Sequence, residues 1–434
     1  MSTQASPAAT QRFFYGWVIV ALSFTTTLIA AGIRSSPSVL IHPFESEFGW
    51  NRAAIAAAIS LNLFLYGAAA PVSGRLLDRY GPRVVMLGSL SLLILGVSGT
   101  IFMTELWHLI LLWGIVVGLG AGGASSVLSA TVAQRWFVAR RGLVLGILNS
   151  ASSTGQLIFF PVLMTVIVHS GWRAGSLLLV GVCLVAGLCL LRWMKNEPSE
   201  IGLQPYGAPL AGMDSSTGLA PGADSAPVLS MLQVVRTPTF WFLCGSFFIC
   251  GGTANGLVGT HLIPHSIDHG IPEITAAATI GVMGGMNFVG TLISGWLTDR
   301  VNPRKLLALV YALRGGSLFI LPFVTDFSHL VVFAVIYGLD WFATVPPTVA
   351  LTADTFGKRA IGTVYGWIFL AHQMGAALAA IGGGLIRVWL GDYQWAFVIG
   401  GFMGIVAAGI ALSIPARAQT TAGAPLITGP ATAG

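Results

Sequence analysis

The sequence predicts an all-α membrane protein of twelve transmembrane helices in two six-helix bundles. Three observations predict it. Mean hydropathy is +0.82, with 55% hydrophobic and only 8% charged residues, whereas a soluble domain carries about 25% charge. Twelve apolar runs are each long enough, at roughly 17–25 residues, to cross a bilayer. Finally, one stretch occurs twice. Gly74-Arg75-Leu76-Leu77-Asp78-Arg79-Tyr80-Gly81-Pro82-Arg83 returns 221 residues later as Gly295-Trp296-Leu297-Thr298-Asp299-Arg300-Val301-Asn302-Pro303-Arg304, with six of ten positions identical. A repeat of half the chain length, each copy between apolar runs, marks two duplicated halves of the kind from which two-bundle carriers are built.

In chain order, residues 1–12 are polar and the first apolar run is too long for a signal-peptide core, so no secretory signal is expected. The spans are expected at about 14–36, 53–73, 84–103, 107–132, 143–168 and 173–193, then at 239–264, 275–297, 305–324, 329–352, 361–386 and 394–414. Between the sixth and seventh lies a stretch rich in Gly, Pro, Ala and Ser with no apolar period, read as a linker. The organisation is therefore a first bundle (1–194), a cytoplasmic linker (195–237), a second bundle (238–415) and a disordered tail (416–434). The 55 glycines suit helices that approach closely. Cys183, Cys189, Cys244 and Cys250 sit in apolar runs without metal-ligand spacing and read as small core residues.

The basic residues orient the chain. With the N-terminus cytoplasmic, sixteen of the 21 Lys and Arg fall on the inner side, and only Arg52, Arg173 and Arg387 fall outside. That bias follows the positive-inside pattern. It places both termini in the cytoplasm and the protein in the cytoplasmic (inner) membrane. It also accounts for the net charge of +6 without any nucleic-acid partner.

The paired G-x-L-x-D-R-x-G/N-P-R loops resemble the signature loop of the major facilitator superfamily. Gly16-Trp17-Val18-Ile19-Val20, Arg135-Trp136-Phe137, Arg140-Arg141-Gly142 and Ser152-Ser153-Thr154-Gly155 resemble its monocarboxylate transporter and oxalate:formate antiporter branch. The resemblance implies two bundles around a central cavity that opens alternately to each side. It implies an anion-handling basic residue late in the first span, where Arg34 falls. It also implies that Asp78 and Asp299, with Arg79, Arg83, Arg300 and Arg304, gate the cytoplasmic side. There the acidic side chain would meet the positive N-terminus of a helix in the facing bundle. The branch carries an acidic residue and an arginine in span 8. Here that span reads Gly281-Val282-Met283-Gly284-Gly285-Met286-Asn287-Phe288-Val289-Gly290, so the resemblance supplies neither an anion clamp nor a proton carrier there.

Charge inside hydrocarbon is costly and marks function by default. Three full charges qualify. Arg314 in span 9 and Asp340 in span 10 fall at similar depth on neighbouring antiparallel segments. They read either as a structural ion pair or as a carboxylate clamp with its proton carrier. Arg34 reads either as an arginine reaching the outer interface or as an anion-binding group. Two guanidinium groups suit a carboxylate, which they can bind bidentately. His261 and His372 are candidates for proton-linked or hydrogen-bonding roles. Asn62, Tyr66, Asn149, Asn287, Tyr365 and Gln373 are candidates to line the cavity, against the default of helix-to-helix hydrogen bonds.

There is no glycine-rich phosphate loop with its lysine, no clustered metal ligands and no hydrolase constellation, so no enzyme and no cofactor are expected. The expected function is secondary transport of small, monocarboxylate-like organic anions by alternating access, through proton symport or anion exchange. The expected partners are the anion, membrane lipid and protons. A same-fold exporter of uncharged or cationic drugs, and a sensor that binds without transporting, are the alternatives. Cationic cargo would want acidic cavity residues, and only Asp340 is available.

Overall fold

The computed structural model describes residues 14–208, 231–324, 326–357 and 361–415. The tail from 416, residues 209–230 of the linker, Arg12, Lys358, Arg359 and Arg417 lie outside them, as do the side chains of Asp78 and Arg141. Among the described residues the regular elements are helices, with one isolated bridge between Phe137 and Tyr206. The spans are α1 (Gly16–Phe48), α2 (Arg52–Ala70), α3 (Arg79–Thr100) and α4 (Leu106–Trp136), followed by one continuous stretch, Leu143–Trp193. That stretch of 51 residues would be about 77 Å long at 1.5 Å per residue, more than twice the hydrocarbon thickness of about 30 Å. Gly171, at φ 80 and ψ 163, breaks it into α5 (143–170) and α6 (172–193). The second half comprises α7 (Pro238–Asp268), α8 (Glu273–Thr298), α9 (Pro303–Phe323), α10 (Phe327–Phe356), α11 (Thr363–Leu390) and α12 (Gln394–Ser413). Twelve passes result.

Local chemistry sets the helix ends. Asn51 caps α2 through its side-chain oxygen, which accepts from the Ala54 amide at 2.8 Å, and Asn302 caps α9 in the same way through Arg304. Pro303 and Pro238 occupy first-turn positions, where a missing N–H costs nothing. Gly81, at φ 79, breaks the helix within the first turn of α3, a backbone state that side chains disfavour. The duplication reappears as a strut. Arg83 donates to the Leu191 carbonyl at 2.6 Å, and its counterpart Arg304 donates to the Ile414 carbonyl at 2.8 Å. Each ties the third helix of its half to the sixth.

Three expectations change. The first span does not end near residue 36. After a single turn at Ser36 the helix resumes at Pro37 and runs to Phe48, because proline at a helix start is tolerated. This places Glu45 and Glu47 in the last turn of the helix. The seventh span likewise runs on to Asp268. Residues 195–208 of the expected linker pack against the first half. Tyr206 accepts from the Val138 and Ala139 amides at 2.9 and 3.0 Å, donates to the Trp136 carbonyl and sets its ring against Phe14 and Phe137. One aromatic side chain and three backbone bonds leave no periodic pattern to read.

The two halves meet along α2–α11, α5–α8 and α1–α7. Their contact is uneven in depth. One buried apolar core joins Ile33, Ile59, Leu63 and Phe160 of the first half to Leu257, Ile263, Trp341 and Ala380 of the second. The arginine-rich end of the second half forms a separate core of Phe240, Phe247, Tyr311, Ile368 and Ala411 with no first-half member. The halves are thus sealed on the arginine-poor face and separate towards the arginine-rich face.

Helix approach in the second half is close enough to depend on single glycines. A Cβ at Gly290 of α8 would lie 1.8 Å from the Leu339 carbonyl oxygen of α10. Gly290→Val is therefore expected to cost upwards of about 3 kcal/mol, read as a lowered unfolding temperature in detergent. An unchanged temperature would mean that α8 and α10 do not pack this closely.

Candidate functional site

Arg314 is fully buried in α9, and every N–H of its guanidinium has a partner. Nε donates to Asp340 Oδ2 at 2.7 Å. Nη2 donates to the carbonyls of Asp340 and Trp341, each at 2.7 Å. Nη1 meets the Cys250 sulfur at 2.8 Å and the Cys250 carbonyl at 3.5 Å. Tyr311 and Tyr337 flank the group at about 6 Å. The side chain thereby ties α7, α9 and α10 of one half together. The two charges do pair, at the shared depth that their positions in spans 9 and 10 predict. The other carboxylate oxygen, Asp340 Oδ1, is buried without a partner. Cys250 is more than a space-filler, since its sulfur also contacts the Thr344 hydroxyl at 3.2 Å; all four cysteines are free.

Arg34 is placed differently. It is half-buried near the end of the first stretch of α1, with its guanidinium carbon 4.7 Å from the centre of the Tyr66 ring. It lines a small cavity of about 20 Å³, room for about one water. Both halves contribute to the wall: Ser35, Ser38, Leu63, Gln156 and Phe160 from the first, and Asn255, Gly259, Thr260 and Trp341 from the second. Among the described residues Arg34 has no carboxylate partner. Gln156 donates to the Ser35 hydroxyl at 3.3 Å, while its own oxygen and the Trp341 indole nitrogen are buried without partners.

An aromatic chain runs from Arg34 into the second half. Tyr66 meets Phe369 edge-on at 6.0 Å, and Phe369 stacks on His372 at 5.9 Å. His372 is buried with Nδ1 unpartnered. Gln373 packs its β-carbon where Gly67 leaves room and keeps a buried, unpartnered oxygen. Arg34, Tyr66, His372 and Gln373 therefore gather at the seam between the halves.

The remaining candidates are spent elsewhere. Asn62 donates to the Trp113 carbonyl at 2.7 Å within the first half. His261, fully buried, bonds the Ala380 carbonyl at 2.8 Å and joins α7 to α11. Asn287 donates to the Ser153 hydroxyl at 2.6 Å across the halves and accepts from the Phe342 amide at 3.0 Å. It pins α8 to both α5 and α10. Tyr365 lies against Phe247 at 6.0 Å. Asn149 is exposed on α5 near the arginine-rich end.

Three wall residues were not among the sequence candidates: Gln156 and Asn255, although each is a polar group within a span, and Trp341. Asn255 reaches the cavity because α7 widens into a π-helical turn at Gly252–Val258, with Thr260 donating to the Asn255 carbonyl at 3.0 Å. Such turns shift the helical register and recur at functional sites.

In the duplicated loops the described contacts stay within each half. Arg79 covers the Tyr80 ring, and Arg300 covers the Trp296 ring. Asp299 is exposed. On the opposite face the halves are joined by charge. Arg52 is buried; it donates from Nη2 to Asp268 Oδ1 at 2.7 Å and from Nη1 to Asp268 Oδ2, while its Nε donates to Glu45. Arg387 donates to Asp268 Oδ2 at 3.1 Å. The Tyr393 hydroxyl accepts from Arg52 at 3.3 Å, its pKa pushed up to about 12 by burial. Arg173 pairs with Glu47 at 2.6 Å. All three arginines of this face are therefore neutralised by acids.

Comparison with known proteins agrees with this architecture. The family description "Major Facilitator Superfamily" matches residues 22–380. Monocarboxylate transporter 12-B of Danio rerio is 27% identical over 89% of this chain and 84% of its own. Monocarboxylate transporter 11 of Homo sapiens is 27% identical over 94% and 85%. An MFS-type transporter of Bacillus subtilis (strain 168), YcxA, is 24% identical over 85% and 88%. Among solved structures, a bacterial homologue of the human lysosomal transporter Spinster superposes with a TM-score of 0.72 at 14% identity, covering 93% of this chain and 97% of that one. With a family match over most of its length and twelve passes in two duplicated halves, the chain belongs to the Major Facilitator Superfamily.

Proposed function

We propose that the protein is a secondary transporter of small, monocarboxylate-like organic anions, working by alternating access with its arginine-rich face in the cytoplasm of an inner membrane. One observation carries this reading: among the described residues Arg34 has no carboxylate partner, and it lines a cavity walled by both halves. A guanidinium in such a place wants an anion, and a carboxylate fits its fork. The unpartnered Gln156 oxygen offers an acceptor beside it for a hydroxyl or other donor on the same substrate. The relatives named monocarboxylate transporters support the same class. Coupling is to protons or to a counter-transported anion. Cationic cargo is disfavoured, because Asp340 already serves Arg314.

The two arginines then differ in role. Arg34 binds the substrate; Arg314 holds the second half in shape and keeps Asp340 oriented. Arg34→Gln is expected to lower anion uptake into proteoliposomes by at least about 30-fold, equivalent to losing roughly 2 kcal/mol of charge-assisted hydrogen bonding, with the unfolding temperature kept. Arg314→Gln is expected to lower the unfolding temperature and the yield of folded protein, since it strands a buried carboxylate. Normal uptake in Arg34→Gln would remove the anion site; a fully stable Arg314→Gln would remove the structural assignment.

Asp78 and Asp299 gate the arginine-rich side by capping helices of the facing half once that side closes. In Asp78→Asn the turnover rate is expected to fall at least about fivefold while substrate affinity changes by less than about twofold. Unchanged turnover would remove the gating role.

A further inference from the structure

The cluster on the arginine-poor face has a composition that an ordinary structural tie lacks. It contains two arginines and two carboxylates, and each half supplies one of each. Arg52 and Glu45 belong to the first half and bond each other at 3.0 Å. Asp268 and Arg387 belong to the second and bond each other at 3.1 Å. The bond between the halves is the two-pronged contact of Arg52 with Asp268, aided by Tyr393. If the cluster is cut along the seam, neither half is left with an unpaired charge. The buried pair Arg314–Asp340 cannot divide in this way, because both partners lie in one half and move together.

We propose that Arg52 and Asp268 form the reversible latch that closes the arginine-poor face during transport, with Glu45 and Arg387 as the charges that receive them when the latch opens. Stranding one member of a buried ion pair is expensive, so a contact meant to break in every cycle needs a second partner on each side. The geometry provides one on each side. Around the latch the halves touch tightly: a Cβ at Gly384 would lie 2.8 Å from that of Ala56. His42 adds a looser contact across the seam, 3.8 Å from Glu273. Ser38, which lines the Arg34 cavity and is almost fully buried, lies in the same helix as Glu45 and becomes reachable from this face only when the halves part here. The latch rests on the alternating-access reading but not on any substrate.

A labelling experiment therefore tests it without measuring transport. Ser38→Cys, in full-length protein reconstituted into vesicles, is treated with a membrane-impermeant maleimide, with the parent's own cysteines as background. Thr104→Cys, in an exposed loop of the arginine-poor face, reports which face the reagent reaches. Added to Ser38→Cys, Asp268→Asn is expected to raise labelling from that face at least about threefold, by shifting the two-state equilibrium. Asp268→Glu is expected to return it towards the parent level. Glu45→Gln and Arg387→Gln leave the Arg52–Asp268 bond intact and are expected to label no faster than the parent. No rise in Asp268→Asn overturns the latch. A rise in Glu45→Gln equal to that in Asp268→Asn overturns it as well, since any damage to the face would then have sufficed. Should Asp268→Asn fail to fold, Arg52→Gln takes its place with the same two outcomes.

Discussion

A guanidinium in hydrocarbon must be met by an anion, by carbonyl oxygens or by a chamber that water or substrate can enter, and this chain uses all of these. Arg314 takes the first two: one carboxylate oxygen, three carbonyls and a sulfur surround it. Arg34 takes the last, leaning on the Tyr66 ring beside a cavity that both halves wall. The rest of the molecule follows from that division. The second half is knitted around a saturated cation, whereas the cation at the seam between the halves has no carboxylate partner among the described residues. A fixed network gives a rigid body, and the proposed anion beside Arg34 would act on the equilibrium between two arrangements from the seam.

The seam is also asymmetric in what holds it. On the arginine-poor face a continuous apolar core and a charged cluster cross it. On the arginine-rich face the second half's core stands alone, and the duplicated loops bond within their own bundles. Apolar burial alone would make the closed face hard to open, because area removed from water or lipid contact has no partner waiting elsewhere. Charge is more easily exchanged, since a carboxylate gives up one arginine for another at little net cost when both are at hand. On the proposed latch, the cross-seam polar contacts fall on divisible groups, which lowers the cost of exchanging one arrangement for the other.

Much of this was legible in the sequence, and the limits have physical causes. The twelve passes, the duplication and the pairing of Arg314 with Asp340 follow from apolar run length and from two charges at matching depth. The break at Gly171 falls between the two spans expected at 143–168 and 173–193. The extension of α1 to Phe48 was not legible: Ser35, Ser36 and Pro37 read as an exit, yet proline at a helix start permits a restart. The cluster around Arg52 was invisible for a different reason. Its partners lie 216 and 7 residues away, and lone polar residues at span ends read as ordinary surface. Asn255 depended on a register shift inside α7 that composition does not signal. Asn62 and His261 looked like cavity residues because a polar group in a span has two uses, and only the packing shows that a neighbouring helix claims it.

The duplication itself bears on why Arg314 and Asp340 are there. At the same 221-residue offset that aligns the repeated loops, the first half has Leu93 and Leu119, and the offset holds at the start of the helix, where Leu106 opens α4 and Phe327 opens α10. Leu93 is fully buried, as Arg314 is, whereas Leu119 is exposed, so the first half closes with hydrocarbon at the position of the arginine and has no buried counterpart of Asp340. Buried ion pairs are in general no more stabilising than the apolar residues that could replace them. The second half carries this charge pair with one carboxylate oxygen left bare, beside Cys250. The two duplicated bundles therefore differ in where they keep their arginines: the first presents Arg34 to the cavity, and the second holds Arg314 with Asp340 inside its own helices.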